Sequence, residues 1–512
     1  VAELLLVVAV GAVAWVLIRP EPAIAFAERD WVVVGDFSNQ TGNLVLDDAL
    51  QQALRISLEQ SRHVNVVSDL KVRETLRQMR KDPAQPLDRA TAKEVAIRDG
   101  ARAVVMPSVQ EINGKLRVSM DVVDPATGRV VYSEYADGSG LDSALNSLDK
   151  VAAAIRLRLG EASDALSQAS LPLPQVATSN LDALHVYAAA QLAYGQADAQ
   201  KSLDYYEVAT RLDPKFAMAY LGQMRSLVSL ARLDEARSRF SLAEGLRDRL
   251  SARQALYMDA WKSELYGGNE VATFRAWKML ADLYPDHHAA SANLALAALS
   301  LGRYSEAERA MERVNVPQVE FPSAALLLHG RVQLVQGKQE EAVVSLREAM
   351  VLAEGRGNRY LVGALAAGGQ FKQARDVLLK LPQGNPGGWL EGTSLALDET
   401  QFSKALAGVD AAAMQCGDDT AECDVLAVVR IASHAAAGSC VSAAQIRTVL
   451  KPLLDKAAMP QQLDRGPRLY YAAALIYSAQ RMGLADAFEV ERRALERVAL
   501  DVRDPRATEL IA

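Results

Sequence analysis

Cysteine is scarce in this 512-residue chain. Only Cys416, Cys423 and Cys440 occur, all in the last hundred residues. Three scattered thiols with no histidine beside them do not make a tetrahedral zinc set, and no redox CxxC is present. Two readings of the thiols stay open. They are buried apolar filler, or Cys416 and Cys423 form a disulfide closing the loop Gly417 to Glu422 in an oxidising compartment. Aromatic residues are also few, at 6%. Alanine and leucine abound instead, and such small and unbranched side chains favour packed helices. Basic excess is lacking too: the formal charge is −7 and is spread along the chain. Nothing there attracts a phosphate backbone, so no nucleic-acid partner is expected of these residues.

Catalytic signatures are missing as well. There is no G-x-x-x-x-G-K-[ST] loop, G-x-S-x-G elbow or H-E-x-x-H helix, so no catalytic, metal-binding or cofactor-binding residue is assigned. The six histidines are scattered, and the pair His287-His288 reads as a solvated turn. Gly42 before a helix reads as a turn glycine, and Asp47-Asp48 as helix-dipole compensation.

One long apolar run is present. Leu4 to Ile18 carries no charge and ends at Arg19-Pro20. With no polar face it cannot lie on a soluble surface, although alone it is short for a bilayer span of roughly 20 residues. Residues 1–20 are therefore expected to be part of a transmembrane anchor, the partner being the membrane. The competing expectation is a secretory signal cleaved at Ala25-Phe26-Ala27. Either places the residues after about 20 to 28 outside the cytoplasm; in a bacterium that is the periplasm, beside a single-pass inner-membrane anchor or after release.

Residues 28–160 alternate strand and helix signals. Trp31 to Gly35 and His63 to Val67 are short β-branched strands. Leu46, Leu50, Leu54 and Leu58 mark a helix face, and Asp69 is placed to cap the next helix. Leu116, Val118, Met120 and Val122 alternate with Lys115, Arg117, Ser119 and Asp121, as in a strand with one wet face. The order β-α-β-α-α-β-β-β-α predicts one mixed sheet with helices packed on it. Residues 161–179 form a linker stiffened by Leu171-Pro172-Leu173-Pro174.

From about residue 180 the strand signals vanish and apolar anchors recur. Tyr206 and Ala209 return 34 residues later as Phe240 and Ala243. Thr273, Trp277 and Leu280 return as Ala307, Met311 and Val314, then 35 residues on as Ala342, Leu346 and Ala349, then after 32 as Ala374, Leu378 and Leu381. Gly302, Gly337 and Gly369 fall in the turns inside repeats. This is the tetratricopeptide period, in which helix pairs stack because none hides its apolar face alone. Residues 180–385 are thus expected to form an all-α tetratricopeptide-like superhelix. Residues 386–512 are expected to be further helical repeats or a carboxy-terminal helical cap, whose register the sequence does not hold. The concave wall would be drawn from first helices, with Gln223, Asn293 and Arg331 as candidate contacts to a peptide or protein. Asn293 offers donor and acceptor together.

Phe37-Ser38-Asn39-Gln40-Thr41-Gly42 resembles the PF-x-N-x-[ST]-G strand end of TolB-like domains, and Asp124-Pro125-Ala126-Thr127-Gly128 their D-x-x-T-G hairpin. Residues 100–109 are similar to another of their strands, with Pro107 where a glycine is usual. Arg211 to Tyr220 resembles the LDPxFAxAY first repeat that follows. The succession is similar to the extracytoplasmic half of bacterial one-pass signalling proteins. Their cytoplasmic part is a class III nucleotide cyclase, a eukaryotic-like serine/threonine kinase or a winged-helix regulator, with cyclases of putative peptide-modification systems closest. The resemblance implies a sensor regulating an effector that precedes residue 1, and no chemistry in the residues themselves. A secreted periplasmic assembly factor is the other function compatible with this architecture.

Overall fold

The computed structural model describes residues 24–266, 270–353, 355, 357–381, 386–415, 421–459 and 465–502. The apolar run Leu4–Ile18 lies outside them. Among the described residues no helix is long and apolar enough to cross a membrane. The chain divides into two compact units at Ala255/Leu256.

The first unit opens on a mixed sheet. Its strands are β1 (Asp30–Val34), β2 (Ser38–Asn39), β3 (Val64–Val66), β4 (Ala103–Ile112), β5 (Lys115–Val123) and β6 (Val130–Gly138). The order is β3-β1-β4-β5-β6, with β3, β1 and β4 parallel and β4, β5 and β6 antiparallel; the short β2 adds in parallel to β4. The β-branched run Val32-Val33-Val34 is wholly buried, as a central parallel strand covered on both faces requires. Helix α1 (Val45–Glu59) turns Leu46, Leu50, Leu54 and Leu58 fully inward. Helix α2 (Asp69–Gln78) is capped by Ser68, whose hydroxyl accepts from Lys71 N at 3.2 Å; Asp69 is the first helical residue and not the cap. Helix α3 (Arg89–Arg98) covers β1 and β4, and α4 (Ala144–Arg158) covers β5 and β6.

Two of the three segments that resemble TolB-like ones are tied by their own side chains. Asn39 Oδ1 accepts from Thr41 N and Thr41 Oγ1, and Asn39 Nδ2 donates to Asn43 O. Asp124 accepts from Ala126 N and the Thr127 hydroxyl, and Gly128 takes φ 74°, a left-handed value open to glycine.

The segment expected as a linker carries two short helices, α5 (Ser163–Ala169) and α6 (Leu173–Val176), and is held against the sheet domain. Gln60 donates to Leu171 O at 3.0 Å and accepts from Leu171 N at 2.8 Å. Asp149 accepts from Leu173 N at 2.6 Å, and Leu173 and Val176 are fully buried. Two helix pairs complete the unit, α7 (Leu181–Gly195) with α8 (Ala199–Leu212) and α9 (Ala217–Ser229) with α10 (Leu233–Glu244). Helix α7 packs on α1, so the sheet domain covers the outer face of the first pair.

The second unit begins inside α11 (Ala252–Tyr266) and holds α12 (Glu270–Leu283), α13 (His288–Ser300), α14 (Tyr304–Glu312), α15 (Pro322–Val335), α16 (Gln339–Leu352), α17 (Arg359–Ala367) and α18 (Phe371–Leu378). It continues with α19 (Pro386–Asp398), α20 (Phe402–Gln415), α21 (Ala421–Ala436), α22 (Ala443–Ala458), α23 (Arg465–Arg481) and α24 (Glu489–Val502). These are tetratricopeptide-like pairs. One backbone feature fixes their register in both units: the residue in the turn between a first and a second helix has a left-handed φ. It is Ala197 at 62°, Ala231 at 58°, Gly302 at 68°, Gly337 at 74° and Gly369 at 70°. The series continues through Thr400 at 58°, Gly438 at 68° and Gly483 at 77°, so helix pairs extend past residue 385.

Helices approach closely where a glycine permits it. A Cβ on Gly222 would lie 2.4 Å from the Tyr206 ring, and one on Gly330 2.5 Å from Leu346. His287-His288 is not a solvated turn: His287 caps α13 by accepting from Ala290 N, its ring stacks on Tyr257, and His288 is buried.

Candidate partner-binding wall

Counting three or four residues along a helix brings a side chain back to the same face, so the left-handed turns define equivalent faces in every first helix. Six positions before the turn residues from Ala197 to Thr400 stand Gln191, Arg225, Leu296, Arg331, Gly363 and Ser394. None of these six is fully buried. They mark the wall that first helices present within each unit.

In the first unit this wall is closed on itself. The Arg225 guanidinium lies 3.9 Å from the Tyr194 ring centre and donates to Gln191 Oε1 at 2.7 Å and to the Tyr206 hydroxyl at 3.2 Å. Tyr206 donates to the same Gln191 oxygen, and Gln191 Nε2 donates to the Tyr187 hydroxyl. The candidate Gln223 is not on the wall. It is fully buried, and its amide donates to Tyr206 O at 3.1 Å and Thr210 Oγ1 at 2.8 Å, tying α9 to α8. Two positions before Arg225 means a rotation of about 200° around the helix, which points Gln223 inward.

In the second unit the wall has hydrogen-bonding capacity to offer. The Asn293 side chain on α13 is half-buried and bonds to no described residue. Arg331 on α15 stacks on Tyr360 of α17, its guanidinium 4.8 Å from the ring centre, and has no hydrogen bond or ion pair with any described residue. Stacking on an aromatic face holds the planar fork in place while leaving its edge donors free. Exposed apolar side chains flank it: Leu296 on α13 and Val335 on α15. Beyond Tyr360, Arg359 pairs with Glu391 of α19 at 3.4 Å, and burial pushes the Glu391 carboxyl above its ordinary range.

Elsewhere in the second unit, two polar side chains that line a cleft are paired within the chain. A cleft of about 560 Å³ lies along α21 and α22, where Arg430 and His434 are among its lining side chains. Arg430 pairs with Asp410 at 2.7 Å, and His434 bonds Ser439 at 2.8 Å. Cys423 is disulfide-bonded and Cys440 is a free, exposed thiol; Cys416 lies outside the described residues. Among the described residues no group of three or more His, Cys, Asp or Glu side chains is placed to hold a metal ion.

Asn293 and Arg331 were within reach of sequence reasoning because polar side chains on first helices are candidates by position. Tyr360 and Gly363 were not: nothing local announces that a tyrosine one repeat on will carry the arginine.

No protein-family model matches the sequence, and no curated protein does. Among solved structures, the C-terminal domain of LpoB from Escherichia coli is 21% identical over 22% of this chain and 85% of its own, with TM-score 0.21. A tetratricopeptide repeat protein from Parabacteroides merdae is 14% identical over 48% of this chain and 97% of its own, TM-score 0.32. PilW is 16% identical over 48% and 98%, TM-score 0.28. The repeat assignment itself stands on the period and the left-handed turns.

Proposed function

We propose that the chain is a non-catalytic interaction module, and that the first-helix wall of residues 288–398 binds an extended segment of a peptide or protein. The observation that carries this reading is Arg331, a stacked guanidinium without an acceptor, beside an unbonded Asn293 and the exposed Leu296 and Val335. An amide that can clamp a backbone, a fork that can take a carboxylate and apolar side chains between them are what a peptide needs.

Short random peptides displayed on phage and selected on the full chain test it. Asn293→Ala and Arg331→Ala should each weaken the selected peptides about tenfold or more. Selected peptides indifferent to both substitutions would remove the wall from consideration.

The run Leu4–Ile18 supports a finer reading. The module is held at a membrane with the described residues on the extracytoplasmic side, and occupancy of the wall regulates an attached effector. Fractionation of cells carrying the full-length gene product tests the tether. Recovery in the soluble periplasmic fraction with a mature end near Ala27 would favour a released assembly factor.

A further inference from the structure

Gly363 sits in the middle of α17, where glycine is a poor choice. It weakens a helix interior relative to alanine by giving up backbone order and packing nothing. Among other first-helix glycines Gly392 has only an ordinary contact, with Leu378 at 3.6 Å, but Gly222 makes room for Tyr206 and Gly330 for Leu346. Gly363 has no such neighbour. It is exposed, and a Cβ there would meet only Glu391 Oε2, at 3.8 Å, an ordinary contact. Its backbone is not left-handed either. The missing side chain therefore leaves a notch in the wall, one helical turn from Tyr360 and floored by the Glu391 carboxylate.

The notch is next to the arginine. Arg331 stacks on Tyr360, Tyr360 shares a face with Gly363, and Gly363 opens onto Glu391. Around the tyrosine the wall thus offers free donors on Arg331 and a recessed acceptor on Glu391, with the Arg359 guanidinium 5.3 Å from the same ring centre. Arg359 reaches that acceptor through Oε1, leaving Oε2 as the oxygen at the notch. Burial disfavours charge on Glu391, so a cation arriving from solvent would restore the ionised form.

Resting on the wall as the binding surface, we infer that the partner is an extended segment carrying an acidic and a basic side chain. The acid pairs with Arg331, and the base enters the Gly363 notch to reach Glu391. Neighbouring packed helices lie about 8–10 Å apart. An extended chain advances about 3.3 Å per residue, so the two side chains are roughly two or three positions apart.

The test uses the full chain and the phage-selected peptides, followed by synthetic copies of the best one measured by fluorescence anisotropy. The enriched sequences should share an acid and a base at that spacing. Gly363→Leu, which fills the notch, should weaken binding about tenfold or more without lowering the melting temperature, and Gly363→Ala by less. Glu391→Gln should weaken the basic peptide and leave a copy with alanine in place of the base unchanged. That variant carries the test should Gly363→Leu fail to fold. Enriched peptides lacking the base, or affinities indifferent to Gly363→Leu and Glu391→Gln, would overturn the inference. If Arg331→Ala still abolishes binding in that case, the wall stands and only the notch falls. Indifference to Arg331→Ala as well would bring down both.

Discussion

Arg156 and Glu161 form a two-point ion pair, Nε to Oε2 at 2.7 Å and Nη2 to Oε1 at 2.8 Å, with both side chains almost wholly buried. The guanidinium also donates to Ser57 O and Ser170 Oγ, and Glu161 accepts from the Ser61 hydroxyl. The pair therefore bolts the segment after α4 onto α1. Glu161→Ala leaves a buried cation with no counter-charge and should lower unfolding free energy by about 3–5 kcal/mol. The double change Arg156→Met with Glu161→Leu should be much milder than Glu161→Ala alone. Denaturant melts of the three variants check this, and equal losses in single and double variants would contradict it.

The contact of α7 with α1 makes the sheet domain a cap on the helix pairs. Gln60→Ala removes both bonds to Leu171 and should destabilise by about 1–2 kcal/mol, more than an exposed glutamine would. Hydrogen exchange should then rise along α5 and α6 first. Unchanged exchange there would mean that the segment is held by its apolar contacts alone.

Ala231 occupies a left-handed turn that five of the repeats fill with glycine, at Gly302, Gly337, Gly369, Gly438 and Gly483. A Cβ in that conformation costs roughly 1–2 kcal/mol, partly offset by the greater freedom of unfolded glycine. Ala231→Gly should thus stabilise by about 0.5–1 kcal/mol, and Gly302→Ala should destabilise. Thermal melts moving in the opposite directions would show that the turns are not equivalent.

Glu264 accepts from the Trp277 indole at 2.8 Å inside an aromatic cluster with Tyr257 and Trp261. Burial pushes its carboxyl above the ordinary value, with the indole hydrogen bond working against the shift. A raised folded-state value means the proton is held more tightly in the folded chain. The stabilisation it brings is complete below the unfolded value and is lost as pH rises through the folded one. Glu264→Gln keeps the acceptor and removes the buried charge. It should melt above wild type at neutral pH, with the gap closing as pH falls to about 4. A variant that melts below wild type at neutral pH would show that the ionised form is the better indole partner.

The sheet domain was legible because its signals are local. Alternation from Lys115 to Val123 carries straight into burial, and the leucines of α1 lie where a four-residue spacing puts them. The two-residue β2 was not legible, since Ser38-Asn39 reads as turn chemistry and becomes a strand only by lying against β4. The repeats were legible wherever large anchors and turn glycines coincided. Past residue 385 Thr400 takes the left-handed turn and the spacing to Gly438 and Gly483 lengthens, so the period is obscured although the turns persist. Docking of Leu171 through Gln60 joins residues 111 apart and leaves no trace in the local pattern. Gln223 shows the same limit at the site: composition marks a polar residue on a first helix, while only its rotation decides that it faces Thr210.

Binding to the first-helix wall is read by hydrogen–deuterium exchange of the full chain, with and without a saturating selected peptide. Exchange should slow along α13, α15 and α17, with α14, α16 and α18 little changed. Protection confined to the second helices or to the sheet domain, with none on α15 and α17, would contradict it.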